Sequence, residues 1–226
     1  MPQLLETIEI ETGDNPTAAV IWMHGLGADG NDFVPIVNEL ELSGAPAIRF
    51  VFPHAPAIPV TINNGYVMRA WYDVSPGDLD SGAKRADEKG VRASQANIGQ
   101  LIAREASRKI SFKNMVLAGF SQGGAMALQT GLRYPEQLAG VMALSCYLPC
   151  PDSFAAEAAP ENAKTPVMIA HGTQDPVVPY AMGKRSSDLL VAAGYKVTWR
   201  EYPMQHSVCL EEVRDIGTWL TSVLRT

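Results

Sequence analysis

The stretch MVLAGFSQGGAMALQTGLR, residues 115–133, decides the fold. Its apolar start, Met115–Ala118, is typical of a buried strand, and its end, Gly124–Arg133, is helix-prone. Between them, Gly-x-Ser-x-Gly at 119–123 is typical of a sharp turn that lifts a serine hydroxyl clear of a parallel sheet's edge. Glycine is needed at both ends of the turn because the strand and helix backbones approach too closely for a Cβ. The stretch therefore predicts a nucleophile, Ser121, with an ordinary Gly-rich turn as the alternative.

Length and charge favour a single α/β domain spanning residues 1–226. The 226 residues suffice for one substantial core, and no Ser-, Gly- or Pro-rich linker or repeat divides them. The net charge of −6 gives no reason to expect a nucleic-acid partner. Basic and acidic residues interleave near residue 88, as on a solvated helix face. They are Lys84, Arg85, Lys89 and Arg92, beside Asp87 and Glu88.

The first residues and the cysteines bear on the compartment and on metal binding. Residues 1–6, MPQLLE, lack the basic start and apolar core of a secretory signal, and no apolar run is long enough to span a bilayer. We therefore expect a cytoplasmic protein without an integral membrane segment. The cysteines, Cys146, Cys150 and Cys209, lack the spacing of a disulfide framework or a zinc site, and we expect no metal.

Strand-like and helix-like segments alternate along the chain. Runs rich in Val, Ile and Met predict strands at Leu4–Glu11, Ala18–Met23, Ala47–Phe52, Met115–Phe120, Val141–Ser145, Val167–Ala170 and Lys196–Tyr202. Helices are predicted at Asn31–Leu42, about Ala83–Ile110, Gln122–Tyr134, Met182–Ala193 and Ser207–Leu224. Such alternation implies parallel pairing through right-handed crossovers. The predicted fold class is α/β, a mostly parallel, doubly wound sheet of about seven strands with helices on both faces and an antiparallel first strand at the edge.

The candidate base lies in the last strand-end loop. Open α/β sheets bind ligands at the carboxyl ends of their strands, and a serine at such a turn is followed along the chain by an acid and then a histidine. Of the four histidines, only His206 follows every plausible acid, in the loop between the last predicted strand and helix. The alternative is an ordinary surface histidine. The order predicts that His206 is the general base.

The candidate acid is Asp175, which closes the strand-end loop His171-Gly172-Thr173-Gln174-Asp175. Asp188 lies beside Lys184 on a predicted helix, where a solvated face is expected, and Asp152 falls in a Pro/Ala-rich connection. The alternative for Asp175 is a turn-forming aspartate bonded to its own backbone. As the acid, it would hold the imidazole in the correct tautomer while the base takes the serine proton.

The attacked carbonyl becomes an oxyanion, which requires fixed donors. The residue after the nucleophile supplies one, which makes the backbone N–H of Gln122 a candidate. The second is expected in the loop His24-Gly25-Leu26-Gly27, where the two glycines free the backbone to aim the N–H of Leu26. A flexible strand-to-helix turn is the alternative for that loop.

Taken together, these segments resemble the small carboxylesterase and acyl-protein thioesterase (lysophospholipase-like) family of α/β-hydrolases, from about Val20 to the final helix. The segments are Ile21–Asp29, Trp71-Tyr72-Asp73, Gly119–Ala125, His171–Asp175 and His206. The resemblance implies a serine esterase or thioesterase without metal or cofactor and without a large cap domain. It also implies a triad of Ser121, Asp175 and His206, and oxyanion donors at Leu26 and Gln122. Some members form homodimers.

The segment Ala55–Val74 is apolar without a clean period. A long irregular segment in a compact domain is usually functional or disordered, and the apolar content argues against disorder. We expect a loop that folds over the site and lines an acyl groove, with a packed surface excursion as the alternative. The substrate-binding candidates are Ile58, Tyr66, Met68 and Trp71.

Three functions follow from this interpretation. The leading one is hydrolysis of short- to medium-chain carboxylic esters through an acyl-serine intermediate. The same machinery permits cleavage of thioesters on acylated proteins, or of lysophospholipids. The third hypothesis is a binding protein in place of an enzyme, namely a noncatalytic protein with the α/β-hydrolase fold. Such proteins normally lose a triad member or block the pocket.

Overall fold

The computed structural model describes residues 4–78 and 87–225. Within them, the main sheet has seven strands: β1 (Thr7–Glu11), β2 (Ala18–Met23), β3 (Ile48–Pro53), β6 (Met115–Phe120), β7 (Gly140–Leu144), β8 (Val167–Gly172) and β9 (Val197–Tyr202). Across the sheet they lie in the order β1-β3-β2-β6-β7-β8-β9. All pair in parallel except β1, which lies antiparallel to β3 at the edge. The predicted α/β class, strand direction and edge position are confirmed.

Helices cover both faces of this sheet, as predicted. They are α1 (Glu88–Ser107), α2 (Gln122–Gly131), α3 (Pro151–Glu157), α4 (Tyr180–Ala192) and α5 (Leu210–Leu224). Alternate residues of β2 point into different cores, since Ile21 packs with residues of α1 and α2 while Trp22 packs with residues of α5. The parallel strands are buried on both faces, which accounts for their continuous apolar runs.

One predicted helix differs from the structure, and another is described only in part. The segment Asn31–Leu42 was predicted as a helix, but its only helical turn in the described structure is a 3₁₀ turn at Val34–Asn38. The N–H groups of Val34, Ile36 and Glu39 each donate to the third residue before them, and that of Leu40 donates to the fourth. Pro35 lacks the N–H that a regular helix would use there. The helix predicted from about Ala83 contains α1, and its predicted start lies outside the described residues.

The segment Ala55–Val74 also forms regular structure that was not predicted. Strands β4 (Ala57–Val60) and β5 (Tyr66–Arg69) pair as an antiparallel hairpin outside the main sheet. Its turn uses Asn64 and Gly65, both in the left-handed region at φ +54° and +76°. The sequence pattern predicts an irregular loop for this segment, and that prediction is wrong for the paired residues. Its Asn-Gly turn is the sequence signal that would have indicated it.

Candidate active site

Ser121 lies at the sharp turn between β6 and α2. Its φ of +54° is unusual for a residue with a side chain, and its N–H donates to the carbonyl of Leu144 at the end of the neighbouring strand β7 (2.8 Å). The turn leaves no room for a Cβ on its glycines. A Cβ on Gly119 would lie 2.3 Å from the backbone of Gly123, and one on Gly123 would lie 2.2 Å from the Met23 carbonyl oxygen. Close backbone packing therefore imposes the conformation of Ser121.

Asp175 and His206 are directly bonded in the structure. His206 Nδ1 lies 2.6 Å from Asp175 Oδ2, and a carboxylate can only accept, so Nδ1 carries the proton. The other carboxylate oxygen accepts the N–H groups of Val177 (2.8 Å) and Val178 (2.9 Å). The Asp175 side chain is fully buried, and that of His206 is 16% exposed. The pair thus consists of a fixed carboxylate and an imidazole with Nε2 free of the carboxylate.

The imidazole of His206 packs beside the serine turn. Its ring centroid lies 4.7 Å from that of Phe120, the residue immediately before Ser121. The loops that follow β8 and β9 also approach each other closely. A Cβ on Gly172, at the end of β8, would lie 2.4 Å from the Met204 and Gln205 carbonyl oxygens, which follow β9. The fold therefore brings the loops after β6, β8 and β9 to one place at the sheet's carboxyl edge.

The loop after β2 adjoins the serine turn on the other side. A Cβ on Gly25 would lie 3.4 Å from the Ser121 Cβ. The loop turns tightly at Gly27, whose φ is +78° and whose N–H donates to the Arg69 carbonyl (2.9 Å). Leu26 stands between these glycines. Gln122 is the first residue of α2, and the first N–H groups of a helix have no partner within it.

His24 has a role in holding this loop that the sequence did not reveal. Its Nε2 accepts the N–H of Ala55 (3.1 Å), so Nδ1 is the protonated nitrogen and donates to the Gly25 carbonyl (2.7 Å). Burial lowers the pKa of His24 to about 4, so the ring stays neutral at ordinary pH. His24 thereby joins the Leu26 loop to the segment that follows β3. His54 likewise accepts the N–H of Gly30 at Nδ1 (3.1 Å).

The Gln122 side chain ties the serine turn to the segment after β5. Its carbonyl oxygen accepts the Trp71 N–H (2.8 Å), and its amide donates to the Tyr72 carbonyl (2.7 Å). The Trp71 indole N–H donates to the His24 carbonyl (2.9 Å). Trp71 is only 2% exposed, so the structure places this predicted groove residue in the interior, as a support for the loops.

The other predicted substrate residues lie on the β4–β5 hairpin. Ile58 and Met68 are directly paired and half-buried, and Met68 Sδ lies 3.6 Å from where a Gly27 Cβ would stand. Tyr66 is 70% exposed near the hairpin turn. The structure therefore brings Met68, with Ile58 beside it, to the edge of the Leu26 loop, and leaves Tyr66 further out.

A parallel sheet with a serine at this turn, and with a bonded histidine–aspartate pair at the same edge, defines an α/β-hydrolase. Within the described ranges, no helix has the length and apolar character needed to cross a membrane. The profile of the phospholipase/carboxylesterase family matches residues 5–224. The chain belongs to that family, and it is a hydrolase of the esterase class.

Its relatives include thioesterases and carboxylesterases. Acyl-protein thioesterase 1 of Gibberella zeae is 40% identical over 214 residues, which cover 92% of this chain and 91% of the relative. A probable carboxylesterase of Oryza sativa subsp. japonica is 34% identical over 91% of this chain and 77% of its own length. The crystal structure of acyl-protein thioesterase 2 from Zea mays is 32% identical, with a TM-score of 0.85 over 97% of this chain and 99% of that one.

Proposed function

We propose that the protein hydrolyses carboxylic esters through an acyl-enzyme formed on Ser121. The observation that carries the proposal is the 2.6 Å bond between His206 and Asp175, beside Phe120 and the Ser121 turn. A serine hydroxyl is a weak nucleophile until a base takes its proton. With Nδ1 bonded to Asp175, the lone pair of His206 Nε2 is available for that proton.

In this mechanism His206 acts first as a base and then as an acid. It takes the Ser121 proton as Oγ attacks the acyl carbonyl, and Asp175 stabilises the resulting imidazolium. It then gives the proton to the departing alcohol or thiol as the carbonyl re-forms, which leaves the acyl-serine. Water deprotonated by His206 attacks the acyl-serine, and collapse returns the proton to Ser121 Oγ and releases the acid.

The backbone N–H groups of Leu26 and Gln122 are the proposed oxyanion donors. The tight turn at Gly27 and the position of Gln122 at the start of α2 support this assignment. Donors of this kind are effective because they are already oriented when charge develops on the oxygen. The Gln122 side chain bonds to Trp71, and the Trp71 indole donates to the His24 carbonyl, which joins the two segments that carry the proposed donors.

Thioesters of acylated proteins are a second candidate substrate class. The similarity to acyl-protein thioesterase 1 extends over 92% of the chain, which favours it. The chemistry is permissive because a cysteine thiol has a pKa of ~8.5, so a thiolate leaves more readily than an alkoxide. Ile58 and Met68 are the proposed lining of the acyl groove, and a preference for short to medium acyl chains remains the leading expectation.

A substrate panel tests the proposal. Purified protein is assayed with matched oxyesters and thioesters of increasing acyl length, from acetyl to palmitoyl, and with a lysophospholipid. Ser121→Ala is the inactive variant, and Ser107→Ala, at the exposed end of α1, is the matched control. We expect hydrolysis by the wild type and Ser107→Ala alone. Hydrolysis that survives Ser121→Ala would overturn the proposal.

A further inference from the structure

A second buried histidine lies behind the acid of the proposed triad. His171 is the next-to-last residue of β8 and is fully buried. Its Nε2 lies 2.9 Å from the Val178 carbonyl oxygen and 3.5 Å from Asp175 Oδ2, the same oxygen that His206 contacts. The triad mechanism gives this ring no task.

His171 and Asp175 are both hydrogen-bonded to the backbone of Val178, at the end of the Asp175 loop. A carbonyl oxygen can only accept, so His171 Nε2 carries a hydrogen and donates it to Val178. The N–H of that same Val178 donates to Asp175 Oδ1 (2.9 Å). One residue, Val178, therefore receives a hydrogen bond from His171 and gives one to Asp175. Displacement of the backbone at Val178 would move the carboxylate that orients His206.

The surroundings of His171 disfavour a second proton on the imidazole. Its Nδ1 has no hydrogen-bond partner among the residues that the structure describes. Gly183 of α4 packs directly on it, since a Cβ there would lie 2.2 Å from Nδ1. A proton on Nδ1 would thus be buried without an acceptor, which is costly. Burial lowers the pKa of His171, although its bond to Val178 and the charge of Asp175 act in the opposite direction.

We infer that His171 is a positioning residue for the proposed triad: a neutral Nε2–H donor that fixes the backbone at Val178, and through it the Asp175 carboxylate. This inference rests on the proposed function, because it assigns the residue that holds its acid in place. A neutral ring suits the task. A charged one would compete with the His206 imidazolium for the same carboxylate oxygen.

A matched pair of amides tests the role. The side chain of His171→Gln reaches about as far as Nε2 and keeps an N–H donor, whereas that of His171→Asn is shorter and cannot reach Val178. We expect the Asn variant to lose about 10- to 100-fold in kcat with KM unchanged, and the Gln variant to retain most of the activity. In the Asn variant, the acid limb of kcat/KM should move to lower pH, because a displaced Asp175 stabilises the imidazolium less.

A direct measurement separates this inference from the proposed function. Nitrogen NMR of the wild-type protein should show His171 neutral, with the proton on Nε2, across the active pH range. Proton NMR should show the His206 Nδ1–H in the wild type and the Gln variant, and its loss or shift in the Asn variant.

A charged His171, a proton on Nδ1, or an Asn variant with unaltered kcat, pH profile and His206 resonance would overturn the inference. If His171→Asn does not fold, the His171 tautomer in the wild-type protein tests the inference, and a proton on Nδ1 would overturn it. Wild-type activity that survives Ser121→Ala would instead overturn the proposed function, while the NMR result would still report on the Asp175–His206 bond.

Discussion

His206 donates from Nδ1 to Asp175 Oδ2 at 2.6 Å, across 31 residues of sequence. The bond joins the loop after β9 to the loop after β8, and it fixes which imidazole nitrogen holds the proton. The Asp175 carboxylate is itself held by two backbone N–H groups. The orientation of the proposed base is therefore set by the backbone of the acid loop.

Replacement of Asp175 by asparagine tests the tautomer argument. An amide nitrogen donates where the carboxylate accepted, which favours the wrong tautomer of His206. We expect Asp175→Asn to fold and to lose about 10⁴-fold in kcat. Steady-state kinetics measures this loss. Asp188→Asn, on the exposed part of α4, is the control and should keep wild-type activity. A near-normal Asp175→Asn enzyme would mean that another residue is the acid.

A charge at Met68 tests the proposed acyl groove. Met68→Asp places a carboxylate beside Gly27, so long acyl chains should lose more in kcat/KM than acetyl esters. The ratio of kcat/KM for octanoyl and acetyl esters measures this. Val67→Asp is the matched control, because neighbouring residues of a strand point to opposite sides and Val67 is 58% exposed. Equal losses for both chain lengths would refute the groove.

Loss of the Gln122 side chain tests the tie between the serine turn and the Trp71 segment. Gln122→Ala keeps the backbone N–H proposed as an oxyanion donor but removes the bonds to Trp71 and Tyr72. It also leaves buried backbone groups unpaired, so both stability and kcat should fall, kcat by about 10-fold or more. Thermal unfolding and kinetics measure the two effects, with the exposed Gln100→Ala as control. A wild-type kcat in Gln122→Ala would show that the hydrogen bonds of Gln122 to Trp71 and Tyr72 have no catalytic importance.

Glu212 of α5 should make the protein less stable as the pH rises. The side chain is fully buried, and burial raises the pKa of its carboxyl from 4.5 to about 8. The folded state therefore keeps this proton at pH values where the unfolded chain has lost it. The contribution of this bound proton to the free energy of unfolding is fully present below pH 4.5 and is lost as the pH rises through about 8. Glu212→Gln has no such proton to lose.

Denaturant unfolding over this pH window measures the effect. The free energy of unfolding of Glu212→Gln should improve relative to the wild type between about pH 4.5 and about pH 8. The exposed neighbour gives the control variant Glu211→Gln, which should follow the wild-type pH dependence. Parallel pH profiles for the wild type and Glu212→Gln would contradict the prediction.

The parts of the fold and site that follow from chain order could be predicted from the sequence. Parallel strands bring their carboxyl ends to one edge, so the order of Ser121, Asp175 and His206 suffices to expect them on neighbouring loops. The structure bonds the last two and packs His206 against Phe120. The burial of Trp71 could not be predicted from chain order. An aromatic residue in an apolar segment is equally consistent with a position in a substrate groove and with one in the protein core.

The supporting contacts depend on distances between segments far apart in the chain. The sequence around His24 and His171 does not indicate that each residue holds a loop. Their partners are the backbone groups of Ala55 and Val178, which come close only through tertiary packing. The missed hairpin is a different case, since its turn at Asn64 and Gly65 carries a recognisable local signal. In the Asn31–Leu42 segment, the apolar spacing was helical but Pro35 restricts its backbone bonding.

Labelling with a fluorophosphonate tests the central claim most directly, because this reagent modifies a serine hydroxyl only when it is activated. Mass spectrometry of the native protein should find one adduct, on Ser121, and labelling should be lost in Ser121→Ala and strongly slowed in His206→Ala. Ser107→Ala should label as the wild type does. A native protein that is not labelled, or a label that persists in folded Ser121→Ala, would contradict the account.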